Sequence, residues 1–190
     1  MRVYLKSIEI PKVCKRLASL RGKIITFDKG LNFLVGENGI GKSTILDSIS
    51  KVGRSPAVEL KCHVEGEKLR TYFFDTEKMN PRMKSYVETG LDVAARFQSH
   101  GQALRPCIEM LQKIREEKGD FLILIDEPES GLSPWTQVKI RELFVDLAKD
   151  YQLIVSTHST ILVKANEGIV IHLDKKVKYS STKEFDWEIV

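Results

Sequence analysis

The stretch GENGIGKS, residues 36–43, is the most informative part of the sequence. It fits the pattern G-x-x-x-x-G-K-[ST], follows the apolar run Leu31 to Val35, and precedes a helical pattern from Ser43 to Ser50. Its glycines let the backbone wrap closely around an anion, and the start of a helix adds a favourable dipole. The sequence therefore predicts a phosphate-binding loop. Its predicted phosphate ligands are Gly36, Glu37, Asn38, Gly39, Ile40, Gly41, Lys42 and Ser43.

A second informative stretch combines an apolar run with acidic residues. Phe121 to Ile125 is a continuous β-prone run, typical of a strand covered on both faces, and Asp126 and Glu127 follow it directly. Two acids could simply end a strand in solvent. Beside a phosphate loop, however, a carboxylate at this position is placed to hold the Mg²⁺ shell, a role that we assign to Asp126 together with the Ser43 hydroxyl. Glu127 is then the candidate general base that activates water.

The order of the remaining patterns indicates an α/β fold. Strands are predicted at Val3 to Ile10, Lys23 to Phe27, Lys68 to Phe74, Leu153 to Val155 and Gly168 to Leu173, with a further strand compatible with the C-terminal residues. Helical spacing runs from Leu104 to Ile114, and another helix begins at the Ser133-Pro134 cap, with Val138, Ile140, Leu143, Phe144 and Leu147 as its buried residues. Strands alternating with helices predict a mainly parallel central sheet.

Composition sets the broad class of the protein. The 190 residues are 42% hydrophobic and 29% charged, which predicts one globular domain over residues 1–190. No apolar run is long enough to cross a bilayer and the N-terminus lacks a signal-peptide pattern, so we expect a cytoplasmic protein without a membrane segment of its own. The three cysteines are far apart, which argues against a disulfide framework. The net charge is +4, with basic residues clustered at 12–23 and 175–178, where a nucleic acid could bind.

Taken in order, these motifs resemble those of the ABC-type ATPases over nearly the whole chain. Gly36 to Thr44 is similar to the Walker A motif, with Thr44 as an additional nucleotide ligand, and Ile123 to Glu127 is similar to Walker B with its catalytic glutamate. Ser130 to Ser133 resembles the D-loop, which crosses the dimer interface in this family. Ser156 to Ser159 resembles the switch-histidine segment. The resemblance implies a P-loop NTPase fold of the ABC type, an N-terminal antiparallel β part, a small helical signature region, and a catalytic role for His158 at the γ-phosphate.

The signature motif has a partial match in this chain. The family pattern LSGGQ is matched best by QSHGQ at residues 98–102, ahead of the predicted helix. The resemblance implies that Ser99 and Gly101 cap the γ-phosphate held by another protomer. A plain helix cap is the alternative, and the position between the other motifs favours the signature.

Two family features have no clear counterpart. No glutamine lies between Walker A and the signature before Gln98, so Asp75 or Glu77 is the candidate replacement for the Q-loop residue. An aromatic residue for stacking on adenine is also not evident, with Tyr4 and the basic residues Lys12 and Arg16 as candidates.

The motif sequences DEPESGLSP, STHS and SHGQ resemble those in the heads of RecF and SMC proteins and in ATPase subunits of antiphage systems more than those in transporter subunits. The resemblance implies an ATPase that uses ATP and Mg²⁺ and closes as an ATP-dependent homodimer, or as a heterodimer with a paralogue. A role in DNA repair or defence, with a nucleic acid or nuclease partner, is the first hypothesis. An ABC transporter subunit and a non-hydrolysing, nucleotide-dependent scaffold are the alternatives.

Overall fold

The computed structural model describes residues 3–51, 59–66, 70–75, 114, 120–165, 167–174 and 177–183. Its strands are β1 (Tyr4–Glu9), β2 (Ile24–Thr26), β3 (Leu31–Val35), β4 (Lys61–Glu65), β5 (Arg70–Asp75), β6 (Phe121–Asp126), β7 (Gln152–Ser156), β8 (Ile169–His172) and β9 (Lys178–Ser181). Its helices are α1 (Lys42–Ser50), α2 (Pro134–Leu147), α3 (Thr160–Val163) and a 3₁₀ turn (Ala18–Leu20).

The central sheet has the strand order β5-β6-β7-β3-β8-β9. All neighbouring strands are parallel except β8 and β9, which form an antiparallel pair at one edge. The strand that precedes the phosphate loop, β3, lies between β7 and β8, with β6 beyond β7. Because these strands are parallel, their carboxyl ends all lie along one side of the sheet, and this order brings the loops after β3, β6 and β7 together.

Strands β3, β6 and β7 are buried along their whole length because both faces of the sheet are covered. In β6, Ile123 and Ile125 pack on the side of α2, whereas Leu122 and Leu124 pack on the side of α1 and the N-terminal strands. Every residue of β6 is buried, which confirms the prediction of a strand covered on both faces.

The N-terminal antiparallel part is a separate three-stranded sheet with the order β2-β1-β4. The prediction identified β1 and β2 but missed β4, Lys61–Glu65. This strand is mostly exposed or half-buried and carries few apolar residues, so its sequence has no strong alternation. Pairing with β1 over the length of the strand makes it a strand.

Helix α2 begins as predicted, with Ser133 as its cap and Pro134 in its first turn. The Ser133 hydroxyl accepts a hydrogen bond from the main-chain N–H of Thr136. The buried face is narrower than predicted: Ile140, Phe144 and Leu147 are buried, but Val138 and Leu143 are only half-buried. These two positions lie at the margin of the apolar stripe, where spacing alone does not distinguish core from boundary.

Two sequence predictions lie mostly or wholly outside the described residues. The helical pattern Leu104 to Ile114 is represented only by Ile114, which is buried in the core on the α2 side of the sheet. The small helical signature region, with Ser99 and Gly101, is not among the described residues. Within the described part of the chain, no helix is long and apolar enough to cross a membrane.

Candidate functional site

The loop after β3 closes over the start of α1. Gly41 precedes the helix with φ of 110°, a backbone conformation that favours glycine. A Cβ at this position would stand 2.2 Å from Leu17 Cδ2, so an alanine here would also force the buried Leu17 side chain to move. Within the described part of the chain, the first turn of α1 has no side-chain cap, because its cap residue is Gly41, so its main-chain N–H groups can bind an outside acceptor. An anion is the acceptor that this helix start favours.

Lys42 is the first residue of α1 and is only 5% exposed. Its Nζ donates to the carbonyl oxygens of Gly36 at 2.9 Å and Glu37 at 3.3 Å, and lies 2.8 Å from His158 Nε2. Burial lowers the pKa of the ammonium group, while the carboxylates of Glu127, Asp126 and Glu129 act in the opposite direction. The Lys42 ammonium group is thus buried against the carbonyl oxygens of the phosphate loop and next to His158.

The carboxyl end of β6 places Asp126 and Glu127 beside this cation. Asp126 is 8% exposed and its Oδ1 accepts a hydrogen bond from the Ser156 hydroxyl at the end of β7. The main-chain N–H of Glu127 donates to the carbonyl oxygen of Ser156 at 3.1 Å. Glu127 has φ of 46°, the only positive φ of a non-glycine residue among those described. Such a conformation costs about 1–2 kcal/mol, and strain of this kind occurs at functional sites.

His158 lies between Lys42 and Glu127. Its Nε2 is 2.8 Å from Lys42 Nζ and 3.7 Å from Glu127 Oε1. Burial, followed by the nearby carboxylates of Asp126 and Glu129, raises the pKa of Glu127, and His158 and Lys42 only partly counteract this. A carboxylate with a raised pKa accepts a proton more readily, as a general base requires.

The residues predicted as metal ligands are compatible with Mg²⁺. Ser43 is exposed at the start of α1, and Asp126 supplies a carboxylate at the facing strand end. Among the described residues, no group of three or more His, Cys, Asp or Glu side chains could hold a metal. Mg²⁺ needs no such cage, since it commonly binds one or two protein oxygens and completes its shell with water and phosphate oxygens. Asp75 pairs in register with Asp126 and so lies at the same edge, whereas Glu77 is outside the described residues.

The candidates for adenine stacking are placed less favourably. Tyr4 is 8% exposed, donates its hydroxyl to Glu65 at 2.9 Å, and lies under the Lys29 ammonium group. These contacts keep its ring within the antiparallel sheet, which argues against an adenine contact. Lys12 and Arg16 are exposed on the loop that also carries Leu17, the neighbour of Gly41.

Sequence reasoning missed three residues that organise the site. Ser156 holds Asp126 and the main chain of Glu127, Glu129 Oε1 accepts the main-chain N–H of His158, and Gln137 bonds to Ser159. The third acid of the run DEPE was a signal for Glu129. For Gln137 no signal exists, because its partner is distant in sequence.

Solved structures share this architecture. The chain matches CbiO1 of Clostridium perfringens, part of the ABC transporter complex CbiONQ, with a TM-score of 0.59 at 16% identity, covering 93% of this chain and 89% of the other. It matches the SMC head domain of Thermotoga maritima with a TM-score of 0.53 at 16% identity, covering 95% and 99%. The chain has the fold of the ABC-type P-loop ATPases. The fold class predicted from the sequence is therefore confirmed.

Sequence similarity to ABC-type proteins is local. Residues 114–164 match the family described as "AAA domain, putative AbiEii toxin, Type IV TA system", and residues 13–51 match an AAA domain family. A phosphate import ATP-binding protein PstB of Alcaligenes faecalis is 33% identical over 100 residues, 52% of this chain. PstB 2 of Lactococcus lactis is 36% identical over 73 residues, 38% of this chain. The aligned parts span 33% and 26% of these two relatives.

Proposed function

We propose that this ABC-type chain binds Mg-ATP at Gly36 to Thr44 and hydrolyses it. The observation that carries the proposal is the convergence of Lys42, Glu127 and His158 at one edge of the sheet. The buried ammonium group lies 2.8 Å from the imidazole, which lies 3.7 Å from the carboxylate. ATP hydrolysis needs a cation that binds the phosphates, a base that activates water and a polar group that contacts the transferred phosphoryl. Lys42, Glu127 and His158 would supply these three groups in that order.

The phosphate loop would hold the nucleotide through main-chain N–H groups and Lys42. Glycines in the left-handed region allow the loop to curve, and the uncapped first turn of α1 adds N–H donors and a favourable dipole. Ser43 and Asp126 would hold Mg²⁺, with Asp75 at the same edge as a further oxygen donor. Bound Mg²⁺ would neutralise the charge that develops on the phosphate oxygens.

In the reaction, Glu127 would orient the attacking water and accept its proton. Its raised pKa suits this task, since burial and the neighbouring acids disfavour its ionised form. His158 would donate a hydrogen bond to the γ-phosphate and stabilise the transition state. The same imidazole contacts Lys42, so a displacement of His158 would change both partners together.

A second protomer would complete the site. By resemblance, Ser99 and Gly101 of another copy, or of a paralogue, would cover the γ-phosphate, and Ser130 to Ser133 would lie at the shared interface. Both elements follow the pattern of an ATP-dependent dimer, which would open again after hydrolysis. The exposed Trp135, two residues after this turn, would give the interface an apolar anchor.

ATP binding is tested by replacing the buried cation. Lys42→Ala should weaken binding of a fluorescent ATP analogue by about 10- to 100-fold, the range for loss of hydrogen bonds to a charged group. Lys51→Ala is the matched control, because Lys51 lies at the end of the same helix and pairs with Asp47 on the surface. Equal affinities for the wild type and Lys42→Ala would contradict the phosphate-loop assignment.

For the biological process, we propose a role in DNA repair or defence against phage, with a nucleic acid or nuclease partner. Two comparisons support this proposal. Residues 114–164 match a family whose description names a toxin–antitoxin system, and the fold is similar to that of an SMC head. The exposed basic residues Lys12, Lys15, Arg16 and Arg21 offer a surface for a phosphate backbone. Stimulation of ATP turnover by double-stranded DNA, lost at high salt, is the expected result.

A transporter subunit is the alternative process, because two sequence relatives are phosphate import ATP-binding proteins. It predicts co-purification with a membrane protein and no response to DNA. A nucleotide-dependent scaffold is the second alternative, and it predicts ATP binding and dimerisation without turnover.

A further inference from the structure

The residues on either side of the D-loop-like turn are bonded to the segment that carries His158. Glu129, just before the turn, accepts the main-chain N–H of His158 through Oε1 at 2.5 Å. A hydrogen bond from a main-chain N–H to a carboxylate is among the strong ones. Its other oxygen, Oε2, is buried without a hydrogen-bond partner among the described residues. Among the described residues, the side-chain hydrogen bond of Glu129 is therefore the one to the main chain of the candidate switch histidine.

Gln137, in the first part of α2, makes a second connection between the same turn and the segment that carries His158. The Gln137 side chain donates through Nε2 to the carbonyl oxygen of Leu132 at 3.1 Å and accepts the Ser159 hydroxyl through Oε1 at 2.6 Å. The Ser159 oxygen also accepts the N–H groups of Ile161 and Leu162 at the start of α3. Gln137 therefore joins the end of the turn to the residue that follows His158.

These two contacts matter because the imidazole itself is weakly packed. The side chain of His158 is 39% exposed, so the surrounding core does not hold the ring in place. The distance between His158 Nε2 and Lys42 Nζ is 2.8 Å. It depends on the position of the His158 Cα, because only two side-chain torsions separate that Cα from the ring. Glu129 holds the main chain at His158, and Gln137 holds the hydroxyl of the next residue, Ser159.

We propose that Glu129 and Gln137 are positioning residues that hold His158 against Lys42 and couple it to the turn Ser130 to Ser133. The proposal rests on the proposed function, in which His158 contacts the γ-phosphate and this turn meets a second protomer. A partner that moves the turn would then move His158, so each protomer would adjust the switch histidine through Glu129 and Gln137 of its own chain.

The kinetic test is a double-mutant cycle between Glu129 and His158. Glu129→Ala should lower kcat for ATP by about 10- to 100-fold, the range for a displaced reacting group, with KM changed less than about twofold. Glu129→Gln keeps an acceptor oxygen at the same length and should retain most of the activity. In a His158→Ala background, Glu129→Ala should have little further effect, because the group it positions is absent.

Two results would overturn the proposal in this assay. One is a loss from Glu129→Ala that is the same in both backgrounds, because Glu129 would then act independently of His158. The other is a loss that appears only in KM. Glu142→Ala is the control for removing an acid outside the site, since Glu142 is exposed on α2.

Amide hydrogen exchange gives a readout that does not depend on turnover. Glu129→Ala should raise the exchange rate of the His158 amide by at least about tenfold, while the Val155 amide in β7 stays unchanged and Glu129→Gln stays close to wild type. Gln137→Ala should raise exchange at Ile161 and Leu162 through the loosened Ser159. Unchanged exchange at His158 would refute the positioning contact. Inactive wild type with the predicted exchange pattern would refute the ATPase proposal and leave this contact standing.

Discussion

The side chain of Gln152 joins the two sheets, and its replacement should destabilise the whole fold. Gln152 is fully buried in β7 of the central sheet. Its Oε1 accepts the main-chain N–H of Leu5 in β1 at 2.8 Å, and its Nε2 donates to the carbonyl oxygens of Leu5 and Asp28, each at 2.8 Å. One amide thus makes three hydrogen bonds, two of them to the antiparallel sheet.

The cost of Gln152→Leu can be worked from these partners. The carbonyl oxygen of Asp28 keeps a second donor, Asn32 Nδ2 at 2.9 Å, so its loss is small. The N–H and the carbonyl group of Leu5 lose this partner in a buried setting, at about 1–3 kcal/mol each. Burial of the leucine side chain offsets about 1.5 kcal/mol. We therefore expect a net loss of about 3 kcal/mol, which lowers Tm by roughly 6–12 °C for a chain of this size.

Thermal and urea unfolding measure this change. Glu142→Leu places the same side chain on the exposed side of α2 and should alter stability by less than about 0.5 kcal/mol. Amide exchange should locate the loss, with the Leu5 amide exchanging faster in Gln152→Leu. A Tm no lower than that of the Glu142 control would refute the claim that this amide holds the sheets together.

Three further predictions concern the site and its interface. Because burial and neighbouring acids raise the pKa of Glu127, its ionised form destabilises the fold, so Glu127→Gln should unfold at higher temperature than wild type near pH 8. This difference should vanish as pH falls below the ordinary glutamate pKa of about 4.3, and a difference constant from pH 4 to 8 would contradict it. Gly41→Ala should weaken ATP binding more than Gly39→Ala in a titration, because both have positive φ but only a Gly41 Cβ meets Leu17, and equal losses would argue against packing. Trp135→Ala should weaken the ATP-dependent dimer by about tenfold or more in sedimentation, whereas unchanged dimerisation would place the interface elsewhere.

Sequence reasoning succeeded where local pattern and topology agree. The runs before Gly36 and Asp126 are fully buried and, apart from Asn32, apolar, and each is followed by a residue type that the chemistry requires. Parallel pairing then forces the ends of β3, β6 and β7 to one edge, so the proximity of Lys42, Glu127 and His158 followed from the fold class. Their roles remain predictions.

What the sequence did not reveal depends on partners distant along the chain. The prediction began β7 at Leu153, the first residue of the apolar run, yet β7 begins at Gln152, whose buried side chain connects the two sheets. The run DEPE marks an acid at position 129, but it does not reveal that Glu129 bonds the main-chain N–H of His158, which is distant in sequence. The β4 strand is a strand through pairing with β1 and has little apolar pattern of its own.

The central claim is that Glu127 activates water for ATP hydrolysis in a composite dimeric site. ATP turnover by wild type and Glu127→Gln, with molecular mass measured in the same samples with and without Mg-ATP, tests it most directly. We predict turnover by wild type, a loss of at least about 100-fold in the variant, and an ATP-dependent dimer that accumulates in the variant. Turnover that is equal in both proteins, or a variant that stays monomeric in saturating Mg-ATP, would contradict the account.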